Sequence, residues 1–66
     1  MREKLKELRL KYGYTQDDVA KRIHKSRSSY TMYEKGTATP PYHIVLKLKS
    51  LFNYYGDDLF ENKEKN

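Results

Sequence analysis

The segment SRSSYTMYEKG, residues 26–36, holds the side chains of this sequence that are best suited to recognition chemistry. Steps of 100° per residue, as in an α-helix, gather basic, hydroxyl and thioether side chains within an arc of about 140°. Tyr30 and Tyr33 fall on the opposite side of the same helix. The segment therefore predicts a helix with tyrosine anchors facing a core and a polar arc facing outward. The polar arc consists of Arg27, Ser28, Thr31, Met32 and Lys35.

These side chains match the groups that duplex DNA exposes in its major groove. An arginine can form two hydrogen bonds to guanine, a serine or threonine hydroxyl can donate or accept, and an apolar group can pack on a thymine methyl. Lysines such as Lys25 and Lys35 can neutralise phosphates, which adds affinity without sequence information. The candidate base readers are therefore Arg27, Ser28, Thr31 and Met32.

The charge distribution favours the same partner without deciding it. The chain of 66 residues has 14 Lys and Arg against 9 Asp and Glu, a net charge of +5. Residues 1–35 hold ten basic and five acidic side chains, whereas residues 36–66 hold four of each. An excess in one half suits a polyanion, but ordinary solvated lysines would give the same count.

Other classes of function have little support in the sequence. The chain has no cysteine, and two histidines are too few for a convincing zinc site. Phosphate-binding glycine loops, metalloprotease motifs and a nucleophile with a placed base are absent, so we expect no enzyme, cofactor or metal. No apolar run is long enough to span a membrane or to serve as a signal peptide. We therefore expect a cytoplasmic protein that does not contact membranes.

Helices must position the polar arc. The spacing of Leu5, Leu8 and Tyr12 predicts a first helix that stops at Gly13. A second helix begins after Thr15, an N-cap that Asp18 completes as a near capping box. Its apolar stripe is Val19, Ala20 and Ile23. A turn of about three residues follows, and Ser26 then caps the third helix, which Gly36 ends.

The remainder of the chain predicts further helices and no strand. Pro40 and Pro41 mark the start of a fourth helix, which Asn53 can end in a left-handed conformation. The spacing of its apolar residues places Tyr42, Val45, Leu48 and Phe52 on its inner face. Asp57 and Asp58, before Leu59 and Phe60, favour a short fifth helix. We predict an all-α, compact bundle of four to five helices over residues 1–60, with a disordered charged tail at 61–66.

YTQDDVA at 14–20, SRSSYTMYEKG at 26–36 and Pro40 together resemble the lambda-repressor-like helix-turn-helix family of Cro-type and XRE-type regulators. The resemblance covers about residues 3–60. It implies a prokaryotic, sequence-specific, DNA-binding regulator of transcription. We expect a repressor that binds a palindromic operator as a homodimer, without a small-molecule effector.

The resemblance also implies roles for individual residues. Arg9 and Glu34 match a structural pair that ties the first helix to the third, and Gln16 matches a glutamine that contacts a phosphate and supports the reading helix. Base reading falls to the start and middle of the third helix, the positions of Arg27, Ser28 and Met32, with Thr31 nearby. The full set of expected phosphate contacts is Gln16, Lys25, Ser26, Ser29, Lys35, Thr37 and Thr39.

The sequence departs from the family at several places, among them His24, the loop at 37–39 and Lys49, and it leaves two alternatives open. His24 stands where the family usually has a left-handed glycine, and the loop at 37–39 lacks the usual Lys or Arg. Apolar residues beyond the needs of a thin core predict dimerisation through the C-terminal helices. These residues are Ile44, Leu51, Tyr54, Tyr55 and Phe60. The alternatives are a helical protein-interaction or antitoxin-like module, and a nucleic-acid binder indifferent to sequence.

Overall fold

The computed structural model of the chain describes residues 2–56 and 58–60. This part of the chain forms four α-helices and contains no strand, which confirms the predicted all-α class. The helices are α1 (Glu3–Lys11), α2 (Gln16–Arg22), α3 (Arg27–Lys35) and α4 (Tyr42–Phe52). Residues 58–60 form a turn rather than the predicted fifth helix, and Asp57 and the predicted tail at 61–66 lie outside the described residues.

One apolar core joins the four helices. Each helix contributes residues from one face, and Leu59, which is fully buried, adds a contact from beyond α4. Burial of such side chains supplies the main driving force for folding in a chain of this size. The buried core consists of Leu5, Leu8, Val19, Ala20, Ile23, Tyr30, Tyr33, Ile44, Leu48, Phe52 and Leu59. No helix in the described residues has the length and apolarity that crossing a membrane requires.

The ends of α2 and α3 are set by the residues that the sequence indicates. The Asp18 amide donates to Thr15 Oγ1 across 3.0 Å, and the Thr15 amide donates to Asp18 Oδ2 across 2.9 Å, so the capping box is complete. Ser26 Oγ accepts from the Ser29 amide at the start of α3. Gly36, with φ of 85°, ends α3 in the left-handed region, which glycine adopts without the strain that a Cβ would add.

The turn between α2 and α3 is left-handed at His24, as expected, with φ of 60°. The Lys25 amide donates to the Ala20 carbonyl across 2.9 Å, which closes the end of α2. A non-glycine residue in this region carries steric strain because Cβ approaches the backbone. The turn nevertheless brings the buried faces of α2 and α3 together, as a helix-turn-helix requires.

The inner face of α4 differs from the prediction. Ile44 is 2% exposed and belongs to the core, whereas Tyr42 is 74% exposed and Val45 is only partly buried. The prediction of Ile44 as a surplus surface residue was therefore wrong as well. Two apolar stripes overlap on α4 and share Leu48 and Phe52, so spacing alone could not separate them. Leu51, Tyr54 and Phe60 pack partly against the core, which leaves Tyr55 exposed from the predicted surplus set.

Tyr12 lies at the rim of the core. It follows the last residue of α1, and it is 42% exposed. Its ring packs edge-on against Phe52 with 5.8 Å between centroids, and its hydroxyl donates to the Phe52 carbonyl across 2.9 Å. Tyr12 therefore caps the end of α4 from the rim of the core.

Candidate nucleic-acid interface

An open groove runs along α3 and reaches the start of α2. It brings together all four predicted base readers and three of the predicted phosphate contacts. Within it Met32 is 42% exposed, Arg27, Ser28 and Lys35 are also exposed, and Thr31 is half-buried. We call this surface the α3 groove; it is lined by Gln16, Arg27, Ser28, Thr31, Met32, Lys35 and Thr37.

The other predicted phosphate contacts lie outside the lining of the α3 groove. Lys25 is exposed in the turn before α3. The side chains of Ser26 and Ser29 are hydrogen-bonded, with the Ser26 hydroxyl donating to Ser29 Oγ across 3.1 Å. Thr39 is exposed, and its Oγ1 accepts a bond from Arg2 Nη2 at 3.4 Å.

Two tyrosines fix α3 against the core. Tyr30 is fully buried and Tyr33 is 6% exposed, as the pattern of the segment predicts. At the end of α3, the Met32 carbonyl accepts from the Gly36 amide at 3.0 Å and from the Thr37 amide at 3.1 Å. The helix that carries the polar arc is thus held on its inner face and at its carboxyl end.

Glu34 connects this helix to α1 and α2. Arg9 Nε donates to Glu34 Oε2 across 2.5 Å, so the predicted pair is in direct contact and is almost fully buried. The Tyr30 hydroxyl donates to the same oxygen across 2.7 Å, and Gln16 Nε2 donates to Oε1 across 3.1 Å. The hydrogen bond to Glu34 raises the pKa of Arg9, while burial and then this carboxylate raise the pKa of Tyr30.

A bond between Thr31 and Gln16 crosses the α3 groove and was not foreseen from the sequence. Thr31 Oγ1 donates to Gln16 Oε1 across 3.0 Å. Both ends of the Gln16 amide are therefore engaged within the protein, one with Thr31 and the other with Glu34. This bond links the start of α2 to the middle of α3.

Arg2 is a second feature that the sequence did not indicate. It is 7% exposed, and its guanidinium donates to the carbonyls of Tyr33, Ala38 and Phe60 across 2.8, 2.7 and 3.1 Å. Its own amide donates to the Glu34 carbonyl across 2.8 Å. Burial lowers the pKa of Arg2 from its ordinary value. An arginine before a first helix is ordinarily solvated, so only the three-dimensional structure reveals this contact.

Comparison with known proteins gives a consistent set of relatives. A family model described as a helix-turn-helix domain matches residues 3–65. An HTH-type transcriptional regulator of Archaeoglobus fulgidus is 37% identical over 60 residues, which cover 91% of this chain and 86% of that protein. The HTH-type transcriptional regulator YgzD of Bacillus subtilis is 32% identical over 66 residues and is covered completely, as is this chain.

A phage-related protein belongs to the same set. The transcriptional repressor RstR of cryptic phage CTXphi in Vibrio cholerae is 32% identical over 63 residues, 96% of this chain and 57% of RstR. No solved structure is significantly similar to the chain. The family match over nearly all residues agrees with the four helices and with the polar face of α3. The chain therefore belongs to the Cro/XRE-type helix-turn-helix family, whose members are non-enzymatic, DNA-binding regulators of transcription.

Proposed function

We propose that the protein recognises a specific sequence in duplex DNA with α3 in the major groove and represses transcription as a homodimer. The α3 groove is the observation that carries this proposal. Arg27, Ser28 and Met32 are exposed side by side there, on a helix whose other face is fixed in the core. An α-helix fits the major groove, and rigid support keeps its side chains in register with base edges.

The residues divide into two kinds of contact. Arg27 lies in the first turn of α3, where it can form two hydrogen bonds to one guanine. Ser28 and Met32 add a hydroxyl and an apolar contact one turn apart. Lys35, with Lys25 in the turn, supplies charge for phosphates, which orients the helix without reading sequence. Ser26, Ser29, Thr37 and Thr39 are proposed as neutral hydrogen-bond partners of the same backbone. The hydroxyls of Ser26 and Ser29 bond to each other, so this pair has one proton to donate to a phosphate.

The exposed face of α4 supports the homodimer. Tyr42 is 74% exposed and Leu46 is 48% exposed, and these two residues lie one turn apart on the same side of the helix. Apolar side chains grouped in this way are typical of an interface. A two-fold dimer would bind two half-sites about one helical turn apart, which gives a palindromic operator. Repression is proposed because the relative RstR is named a transcriptional repressor.

Selection from a random pool of duplex DNA tests the proposal directly. We expect enrichment of one motif repeated as a palindrome, since two copies of α3 would read the two half-sites. An enriched motif without two-fold symmetry would reject the homodimer but keep the reading by α3. A pool that shows no enrichment would reject sequence-specific binding. Retention of the whole pool would then favour a binder indifferent to sequence, and no retention would favour the protein-interaction module.

Two exposed residues of α3 give a matched pair of variants for the selected site. Arg27→Ala should weaken binding to that site by about 1–3 kcal/mol and relax the preference at one base pair. Lys35→Ala should weaken binding to all sequences alike and lower the slope of log affinity against log salt by about one. Equal losses on selected and random DNA for Arg27→Ala would reject its reading role, and a sequence-selective loss for Lys35→Ala would reject its phosphate role.

A further inference from the structure

The hydrogen bonds of Glu34 have a fixed direction. Glu34 is 1% exposed, and its two carboxylate oxygens accept bonds from Arg9, Tyr30 and Gln16. A guanidinium has donors and no acceptor, so Arg9 can only donate to this carboxylate. The carboxylate therefore presents acceptors to every neighbour, and any group within hydrogen-bond distance must donate to it.

This direction sets the orientation of the Gln16 side chain. The atom of Gln16 that lies 3.1 Å from Glu34 Oε1 must be the Nε2 donor, because a carbonyl oxygen there would face another acceptor. The Oε1 atom of Gln16 is then turned toward α3. One Nε2–H remains for an outside acceptor, which suits the proposed phosphate contact of Gln16.

The orientation of Gln16 in turn fixes the proton of Thr31. Gln16 Oε1 can only accept, so the Thr31 hydroxyl, 3.0 Å away, must donate its single proton to it. A hydroxyl has one proton and two lone pairs, and the lone pairs of Thr31 are the part left for other partners. Thr31 lines the α3 groove beside Ser28 and Met32, so these lone pairs are available to a ligand in that groove.

Each base offers one of two kinds of group near the centre of the major groove. On a given strand, adenine N6 and cytosine N4 are amine donors, while guanine O6 and thymine O4 are acceptors. We infer that Thr31 contacts DNA only as a hydrogen-bond acceptor and selects adenine or cytosine on the strand that it faces. This inference rests on the proposed reading of DNA by α3, and it assigns one position of the operator an amine-bearing base.

Binding to a panel of duplexes, each with one base pair of the selected site replaced, tests the inference. For the wild-type protein we expect a position in each half-site where adenine or cytosine binds about fivefold or more tightly than guanine or thymine, the low end of a mismatch penalty. Thr31→Val keeps the shape of the side chain without the hydroxyl and should abolish this preference. Thr31→Ser keeps the hydroxyl and should preserve it.

Gln16→Ala provides an independent variant in which Thr31 is unchanged. Removing the acceptor of the Thr31 proton lets the hydroxyl donate outward, so guanine or thymine should now bind at that position about as well as adenine or cytosine. The loss of a phosphate contact should lower affinity for every sequence equally, which separates the two effects. Thermal unfolding of each variant is the control, because it tests whether the variant is folded at the temperature of the binding measurements.

The possible results distinguish this inference from the proposed function. A preferred site that depends on Arg27 but shows no position sensitive to Thr31→Val would reject the inference and keep the reading by α3. A Thr31-sensitive position that prefers guanine or thymine, or a preference unchanged in Gln16→Ala, would also reject it. A selection without any enriched motif would reject the reading by α3 and the inference with it.

Discussion

Four hydrogen bonds converge on the carboxylate of Glu34 in the interior of the protein. Glu34→Leu would leave the Arg9 guanidinium, whose side chain is 10% exposed, without its charged partner. Leaving one member of a buried ion pair alone costs about 3–5 kcal/mol, a large part of the stability of a small domain. We expect a loss of this size in the free energy of unfolding, measured by urea denaturation.

The double variant Arg9→Met with Glu34→Leu is the control for this pair. It removes both charges, so no charged group is left unpaired in the interior, and we expect it to be more stable than Glu34→Leu alone. A double variant whose loss equals the sum of the losses in Glu34→Leu and in the single variant Arg9→Met would show that the two side chains act independently.

We expect the free energy of unfolding to depend on pH through the carboxyl of Asp18. The amide and side chain of Thr15 hold the pKa of the Asp18 carboxyl below its usual value. A carboxyl whose folded pKa is depressed stabilises the fold above its unfolded pKa of about 3.9 and loses that contribution as pH falls through the folded value. Asp18→Asn keeps an acceptor for the Thr15 amide but removes the charge.

The difference in the free energy of unfolding between wild type and Asp18→Asn should therefore be constant near neutral pH and should shrink below about pH 4. Urea unfolding at a series of pH values measures it. A difference that stays unchanged in acid would mean that the charge of Asp18 does not contribute to the capping box.

At the scale of elements, Arg2 joins the start of α1 to the end of α3. It satisfies the carbonyls of Tyr33 and Glu34, which lie in the last turn of α3 and have no partner within the helix. Arg2→Ala should lower the free energy of unfolding by about 1–3 kcal/mol, because the carbonyls of Tyr33, Ala38 and Phe60 lose the guanidinium that donates to them. The amide of residue 2 is kept in this variant and still donates to the Glu34 carbonyl. Amide hydrogen exchange at residues 36–38 should become faster, since the same side chain holds the Ala38 carbonyl.

Two further variants separate the effect of the Arg2 hydrogen bonds from the general effect of losing a positive charge. Lys6→Ala removes an exposed cation from α1 and should change stability little. Arg2→Lys keeps the charge of Arg2 but lacks the planar fork, so it should restore only part of the loss. Full recovery in Arg2→Lys would mean that charge alone, without the shared hydrogen bonds, accounts for the effect.

The helices show which parts of the structure can be predicted from the sequence. Ser26 and Gly36 predict the ends of α3 correctly because capping is chemistry between near neighbours in the chain. The prediction that Tyr42 lies on the inner face of α4 was wrong. Which of two overlapping apolar stripes is buried depends on what the helix packs against. Arg2 contacts Phe60, 58 positions away, and no local pattern predicts a contact of that range.

The α3 groove shows the same difference between local features, which the sequence predicts, and contacts between helices, which it does not. Its outward residues follow from helical spacing, so Arg27, Ser28 and Met32 could be identified from the sequence as a group. The bond between Thr31 and Gln16 joins two different helices, and it depends on the packing of α2 against α3. Which side chains face outward was therefore predictable, while the direction in which a hydroxyl donates was not.

At the scale of the whole molecule, the proposed homodimer requires α4 to have a partner. Leu46 is 48% exposed on α4, so burying the exposed half of its side chain contributes about 1 kcal/mol in each copy. Leu46→Ser would remove this from both copies, so the dissociation constant of the dimer should rise by roughly thirtyfold. Sedimentation equilibrium of the wild type and the variant measures this change.

Binding to DNA should report the same interface. A dimer holds its second reading helix at a high effective concentration over the second half-site, so Leu46→Ser should weaken binding to the full palindrome far more than binding to an isolated half-site. Leu10→Ser is the matched control, because Leu10 is a leucine of similar exposure, 57%, on a different helix. Leu10 lines a surface cavity with Gln16 and Arg27, so the quantity compared is the ratio of affinities for the palindrome and the half-site within each variant. A wild-type protein that sediments as a monomer both free and on the palindrome, or an equal fall of this ratio in the two variants, would contradict a dimer built on α4.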